Sequence, residues 1–302
     1  MSRIFEALQR LGTEHSGVEY PDMVTVATEV LEAPQAEEQA TNGQELAGQE
    51  SDIFGAALGG EQRTAVAPVD FPSLQVAVTP ASRLVFLSEP DSLAAEKFRF
   101  LGVRLRQLRQ NRPLKKVLIT STIPEEGKSL VSANLSGVLA QRKQKVLLIE
   151  GDLRRPVLAQ QFGLGTLAGL GEWLQSGSQT VSNIYKLEGP GFWLMPAGNA
   201  PANPLELMQS GRLSLLMGQL AGAFDWIIVD SPPLLPLADT TVWARLTEGT
   251  LLVTREGKTE RAQLQQGLAM IKKSDLLGCV VNGCSESDNK NYYQRYSPPT
   301  MK

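Results

Sequence analysis

The stretch KKVLITSTIPEEGKSLVSANLSGVLAQR, residues 115–142, decides the fold. Its opening KKVLITS (115–121) is a short apolar run with the make-up of a buried strand. Residues 128–142 have the apolar spacing and length of a helix. Between them lies TIPEEGKS (122–129). A strand, a tight loop ending in Gly-Lys-Ser and a helix form the context of a phosphate-binding loop. Its backbone N–H groups converge on phosphate oxygens, and the helix N-terminus adds partial positive charge. In this reading Lys128 reaches the β- and γ-phosphates, and Ser129 offers a hydroxyl to Mg²⁺. Thr122, Ile123, Pro124, Glu125, Glu126, Gly127, Lys128, Ser129 and Leu130 are the nucleotide-contacting candidates. Thr122 stands where the strict pattern has glycine.

Working outward, residues 91–110 read as a helix with Leu93, Phe98, Leu101, Leu105 and Leu108 on one side. Downstream, strands are expected at 145–151, 192–197, 225–231, 250–256 and 277–283. Helices are expected across 203–222, 237–245 and 259–273. The strands are nearly continuous apolar runs, as when helices cover both faces of a parallel sheet. The fold class is therefore α/β: a P-loop NTPase, a Rossmann-like three-layer α/β/α sandwich with a mostly parallel sheet.

Two further motifs end strands on carboxylates. In LLIEGDLRRP, Glu150 and Asp152 lie two apart and face one side if the strand stays extended. Carboxyl ends of strands beside a phosphate loop are where ligands bind in open α/β sheets. In WIIVDSPP (226–233), Asp230 has the place of the second metal-binding carboxylate of a P-loop enzyme. Ser129, Glu150, Asp152 and Asp230 are the metal candidates. Lys128, Glu150, Asp152 and Asp230 are the catalytic candidates.

Composition excludes other chemistries. The chain has 302 residues, 42% of them hydrophobic, enough for one or two domains with a real core. His15 is the only histidine, which argues against a histidine triad or a His-rich metal site. Cys279 and Cys284 are the only cysteines, so there is no disulfide framework and a reducing compartment is the plainer setting. No apolar run is long enough to span a bilayer. The formal charge of −3 hides an asymmetry: residues 13–62 carry eleven acids and no Lys or Arg. Residues 1–12 place Ile4, Phe5, Leu8 and Leu11 at helical spacing. The expected organisation is a short helix with an acidic leader over 1–80, a nucleotide-binding domain over 81–284 and a tail over 285–302. Three of the five tyrosines, Tyr292, Tyr293 and Tyr296, fall in that polar tail, where no core can form, and read as phosphate acceptors. The Arg-rich stretch 96–116 lacks the aromatic interleaving of base stacking, so nucleic acid is not an expected partner.

Taken together these blocks resemble the bacterial tyrosine kinases of polysaccharide export. The resemblance runs over roughly 80–296. It includes the phosphate loop, the acidic strand, PAGNAPANPLELM (196–208), FDWIIVDSPP (224–233), the strand ending at Asn282 and the tyrosine cluster. It implies a protein-tyrosine autokinase using ATP and Mg²⁺, with Asn282 near the adenine. It implies a homo-oligomer with contacts at Glu96 and Arg99, and cycling by a tyrosine phosphatase. It further implies the split arrangement, in which a separate transmembrane polysaccharide co-polymerase recruits and stimulates a cytoplasmic kinase at the inner face of the membrane. Glu150 replaces the usual aspartate, and Gly102 replaces the last arginine of the oligomer motif. Two other readings stay open: a partitioning-type P-loop ATPase, against which Ile123 stands in place of its signature lysine, and a nucleotide-responsive scaffold without kinase activity.

Overall fold

A computed structural model of the chain describes residues 71–76, 78–79, 82–235 and 238–284. Residues 1–70 of the expected leader, and with them the apolar face of residues 1–12, lie outside the described residues, as does the tail with Tyr292, Tyr293 and Tyr296. Eight strands form one sheet: β1 (Ser73–Gln75), β2 (Lys116–Ser121), β3 (Val146–Glu150), β4 (Tyr185–Glu188), β5 (Trp193–Met195), β6 (Trp226–Asp230), β7 (Gly249–Arg255) and β8 (Leu276–Asn282). Their spatial order is β1-β4-β5-β3-β6-β2-β7-β8. All pairs are parallel except β4–β5.

The register explains the apolar runs. On β2, Val117 and Ile119 enter one core and Leu118 the other. Each strand thus feeds two layers, and both sets of alternate residues must be apolar. The first layer comprises α1 (Val85–Ser88), α2 (Leu93–Asn111) and α3 (Lys128–Ala140), through Phe86, Leu105, Val131, Leu135 and Leu139. After α4 (Leu158–Gln161), the second layer is built by α5 (Leu170–Ser176), α6 (Pro204–Gln209), α7 (Arg212–Ala223) and α8 (Asp239–Leu246). Trp173, Met208, Leu216 and Trp243 carry its packing. The last helix, α9 (Arg261–Ala269), closes over Leu252 through Leu264.

Local chemistry sets the element ends. Ser92 caps α2 by accepting the Ala95 N–H at 3.1 Å, and α2 stops just before Pro113. In α3, Ser132 and Ser136 donate to the carbonyls four residues back at 2.8 and 2.7 Å. Those bonds satisfy the hydroxyls and let a serine-rich helix run buried through the core.

The expected strands and long helices are present. Two strands escaped the sequence reading, SLQ (β1) and YKLE (β4), because neither contains an apolar run. β1 pairs with β4, so the folded unit begins before the expected boundary at residue 81. The polar edge also holds the one antiparallel pair, turned through Gly189 and Gly191 at φ 92° and 77°. Among the described residues no helix is long and apolar enough to cross a membrane.

Gly137 shows how closely the first layer packs. A Cβ there would come within 2.0 Å of the tip of the Phe86 ring, which is 3% exposed. Gly137→Ala is therefore expected to cost about 1–3 kcal/mol of unfolding free energy by overpacking. Urea denaturation measures it, and Phe86→Leu in the same chain should recover part of the loss.

Candidate active site

The site lies at the carboxyl ends of β2, β3 and β6. Parallel pairing sets Ile119 and Glu150 each opposite Asp230, so the loop after β2 and the acidic ends of β3 and β6 meet by register alone. Gly127 ends the loop at φ 99°, directly against Asn282. A Cβ at residue 127 would strike the Asn282 amide, so backbone angle and space both require glycine. Glu125, at φ 64°, takes the left-handed region without being glycine and marks local strain in the loop.

Lys128 opens α3 and turns back into the site. Its Nζ lies 3.1 Å from Asp152 Oδ2, 3.4 Å from Ser129 Oγ and 4.0 Å from Asp230 Oδ2. Burial pulls the ammonium's pKa down, but Asp230 and Asp152 pull it up further, and the net shift is upward. Its contribution to stability is thus full at neutral pH and is lost only as pH rises past the ordinary lysine range.

Asp230 is fully buried at the end of β6. Burial drives its pKa up, and the charge of Lys128 only partly offsets this. Oδ1 accepts from Ser132 Oγ at 3.1 Å, while Oδ2 has no hydrogen-bond partner. An unmatched buried carboxylate oxygen beside a serine hydroxyl suits a hard divalent cation. Among the described residues no group of three or more His, Cys, Asp or Glu side chains has metal-holding geometry.

The two acids of the LLIEGDLRRP segment part company. β3 ends at Glu150, and Asp152 sits beyond the extended region, so the shared face expected from alternation is absent. Glu150 Oε1 accepts the Val157 and Leu158 N–H groups, both at 2.5 Å, and Oε2 accepts the Ala197 N–H at 3.0 Å. Burial nonetheless raises its pKa, against the pull of these amides. Its carboxylate ties the loop after β3 to the loop after β5. Asp152 keeps Oδ2 on Lys128 and accepts the Arg155 N–H on Oδ1 at 3.0 Å.

Residues the sequence reading passed over complete the frame. Arg154 forks onto buried Asp239 at 2.7 and 3.2 Å, pinning the acidic loop to α8. Trp243 Nε1 donates to the Gly151 carbonyl at 3.2 Å, and its ring leaves no room for a Cβ there. The spacing of Ser132, four residues after Lys128, was the available signal for one of them. Asn282 Nδ2 donates to the Glu126 carbonyl at 2.9 Å, so the structure brings it to the back of the phosphate loop. Glu96 and Arg99 pair with each other at 2.6 Å on exposed α2, apart from these groups. Gly102 is buried against Val138 of α3, where a Cβ would approach to 3.1 Å.

No family model matches the chain. It is 35% identical over 212 residues to the tyrosine-protein kinase YwqD of Bacillus subtilis, covering 69% of this chain and 89% of that protein. It is 29% identical over 217 residues to CapB of Staphylococcus aureus, a putative tyrosine-protein kinase, covering 71% and 95%. Among solved structures, the kinase domain of the Escherichia coli tyrosine kinase ETK superposes with a TM-score of 0.63 at 29% identity, over 67% of this chain and 82% of that one.

Glu150→Gln tests the role of this side chain. One amide N–H would then face an NH₂ group, and an unfolding loss of about 1–3 kcal/mol is expected. Urea denaturation at pH 7 reads it; unchanged stability would remove Glu150 as the tie between the two loops.

Proposed function

The chain belongs to the bacterial tyrosine-protein kinases, and we propose that it moves the γ-phosphoryl group of ATP onto its own C-terminal tyrosines, Tyr292, Tyr293 and Tyr296. The observation that carries this reading is Lys128, held between Asp152 and Asp230 at the first turn of α3. The ammonium is poised to leave one carboxylate for a phosphate oxygen. Catalysis of this kind is mostly positioning and charge neutralisation.

The residues divide the work. Backbone N–H groups of 125–129 cradle the phosphates, and Lys128 steadies charge on the transferred group. Ser129 and Asp230 would hold Mg²⁺, which when bound neutralises charge on the β- and γ-phosphates. Asp152 is the acceptor for the tyrosine proton, because the oxygen it offers Lys128 becomes free once the ammonium turns to phosphate. Both Glu150 oxygens are occupied by amides. The phenol oxygen bonds to the γ-phosphorus, the bond from that phosphorus to the bridging oxygen breaks, and ADP leaves. Asn282 stands beside the loop on the side assigned to the adenine.

Cys284, the last described residue, lies two positions past Asn282, which itself touches the phosphate loop. The tail of a neighbouring subunit is the substrate, in a homo-oligomer with contacts on α2 around Glu96 and Arg99. Each phosphate adds about −1.5 to −2 charge at pH 7, so three add roughly −5 to −6. That change, reversed by a tyrosine phosphatase, switches the kinase's association with a transmembrane polysaccharide co-polymerase. Polymer synthesis or export is regulated in this way at the inner face of the membrane.

Lys128→Met should lower phosphotyrosine formation by on the order of 10²–10³ or more, as for loss of one transition-state donor. The assay is incubation with Mg-ATP, with and without the co-polymerase, followed by mass spectrometry of the tail. Changing Tyr292, Tyr293 and Tyr296 together to Phe should remove most label and leave ATP binding intact. Label persisting elsewhere would overturn the tail assignment.

A further inference from the structure

Glu126 is fully buried behind the phosphate loop, yet no cation lies within 4 Å of its carboxylate among the described residues. Instead Oε2 accepts the Ile123 N–H at 2.8 Å, three residues back across the loop. Oε1 accepts the hydroxyl of Thr259, from the connection between β7 and α9. Thr259 is itself fixed: its Oγ accepts the Arg255 N–H at 2.9 Å. Burying an ion-pair-free carboxylate is costly, more so behind a loop built to take anions. Packing gives no reason to keep it there, since an apolar side chain would fill the same space. Its hydrogen bonds give one.

We infer that Glu126 and Thr259 form a positioning pair for the kinase reaction, bracing the phosphate loop from behind. Glu126 ties the first limb of the loop, at Ile123, to its last limb, at Gly127. Thr259 ties the braced loop to the end of β7. The brace thereby fixes the direction of the loop amides before nucleotide arrives. Neighbouring contacts help to hold the loop, as Asn282 Nδ2 takes the Glu126 carbonyl and Lys258 Nζ pairs with the exposed carboxylate of Glu125 at 2.7 Å. With the Ile123 N–H unpaired and the last limb untied, the loop samples arrangements that do not fit phosphate. Affinity falls by the fraction of time spent in them. Bound nucleotide selects the fitting arrangement, so affinity carries most of the loss.

This inference rests on the nucleotide site proposed above, and the test separates the two. Full-length wild type, Glu126→Ala, Glu126→Gln, Thr259→Val and the Ala/Val double variant are titrated with fluorescent Mg-ADP, and tail phosphorylation is followed against ATP concentration. Glu126→Ala and Thr259→Val should each weaken ADP binding and raise the ATP KM by about fivefold to tenfold, the worth of one net hydrogen bond. The rate at saturating ATP should fall by less than the affinity does. The double variant should be little worse than the worse single one, because both remove the same brace. Glu126→Gln, whose amide can accept from Ile123 and donate to Thr259, should recover most of the affinity. Hydrogen exchange without nucleotide should show protection of the 119–130 segment lost in Glu126→Ala and kept in Glu126→Gln. Wild-type affinity in Glu126→Ala, additive losses in the double variant, or a fall in saturating rate at constant KM would each overturn the brace. A wild-type protein that fails to bind Mg-ADP would instead overturn the nucleotide site.

Discussion

The site depends on one charge arrangement: a buried ammonium, Lys128, facing two buried carboxylates. Neither sign is tolerable in the interior alone. Removing one partner of such a group strands the rest without compensation. Asp152 meets the lysine directly, and Asp230 meets it at longer range with one oxygen unmatched. The arrangement is therefore stable but unsaturated, with Asp230 Oδ2 left without a hydrogen-bond partner. Everything around it holds these three side chains still. The parallel register brings the strand ends level, α3 carries the lysine, and Trp243, Arg154 and Asp239 fix the chain that carries Asp152.

Much of this was legible because the chemistry is local in sequence. Strand, loop, Gly-Lys-Ser and helix are contiguous, and so are the apolar runs that end at Glu150 and Asp230. What could not be read is what depends on distant partners. Glu126 reads from the sequence as a nucleotide-contacting loop residue, and only its meeting with Thr259, 133 residues away, explains its burial. Glu150 looked like an equal of Asp152 because both follow one apolar run. The strand stops between them, and the amides that claim Glu150 come from residues 157, 158 and 197. The edge strands β1 and β4 are short and polar, so periodicity had nothing to register.

Gly102 belongs with these. By resemblance its position calls for arginine, and the sequence offers no reason for the change. In the fold it lies against Val138, with the Arg106 side chain alongside. Arg106 has a buried Nη1 without an acceptor, and both its burial and the nearby charge of Arg142 lower its pKa. The small residue lets α2 sit close on α3, with Arg106 one turn along the helix.

The contact between Asn282 and the phosphate loop has a consequence for biogenesis. The two partners are separated by 156 positions, and every strand after β2 must be made before they can meet. On the ribosome, β2, its loop and α3 emerge early, while β8 and the residue that closes on Gly127 emerge late. Pairings of this span are slow to form. The nascent chain therefore carries an incompletely seated cradle until its final strand docks.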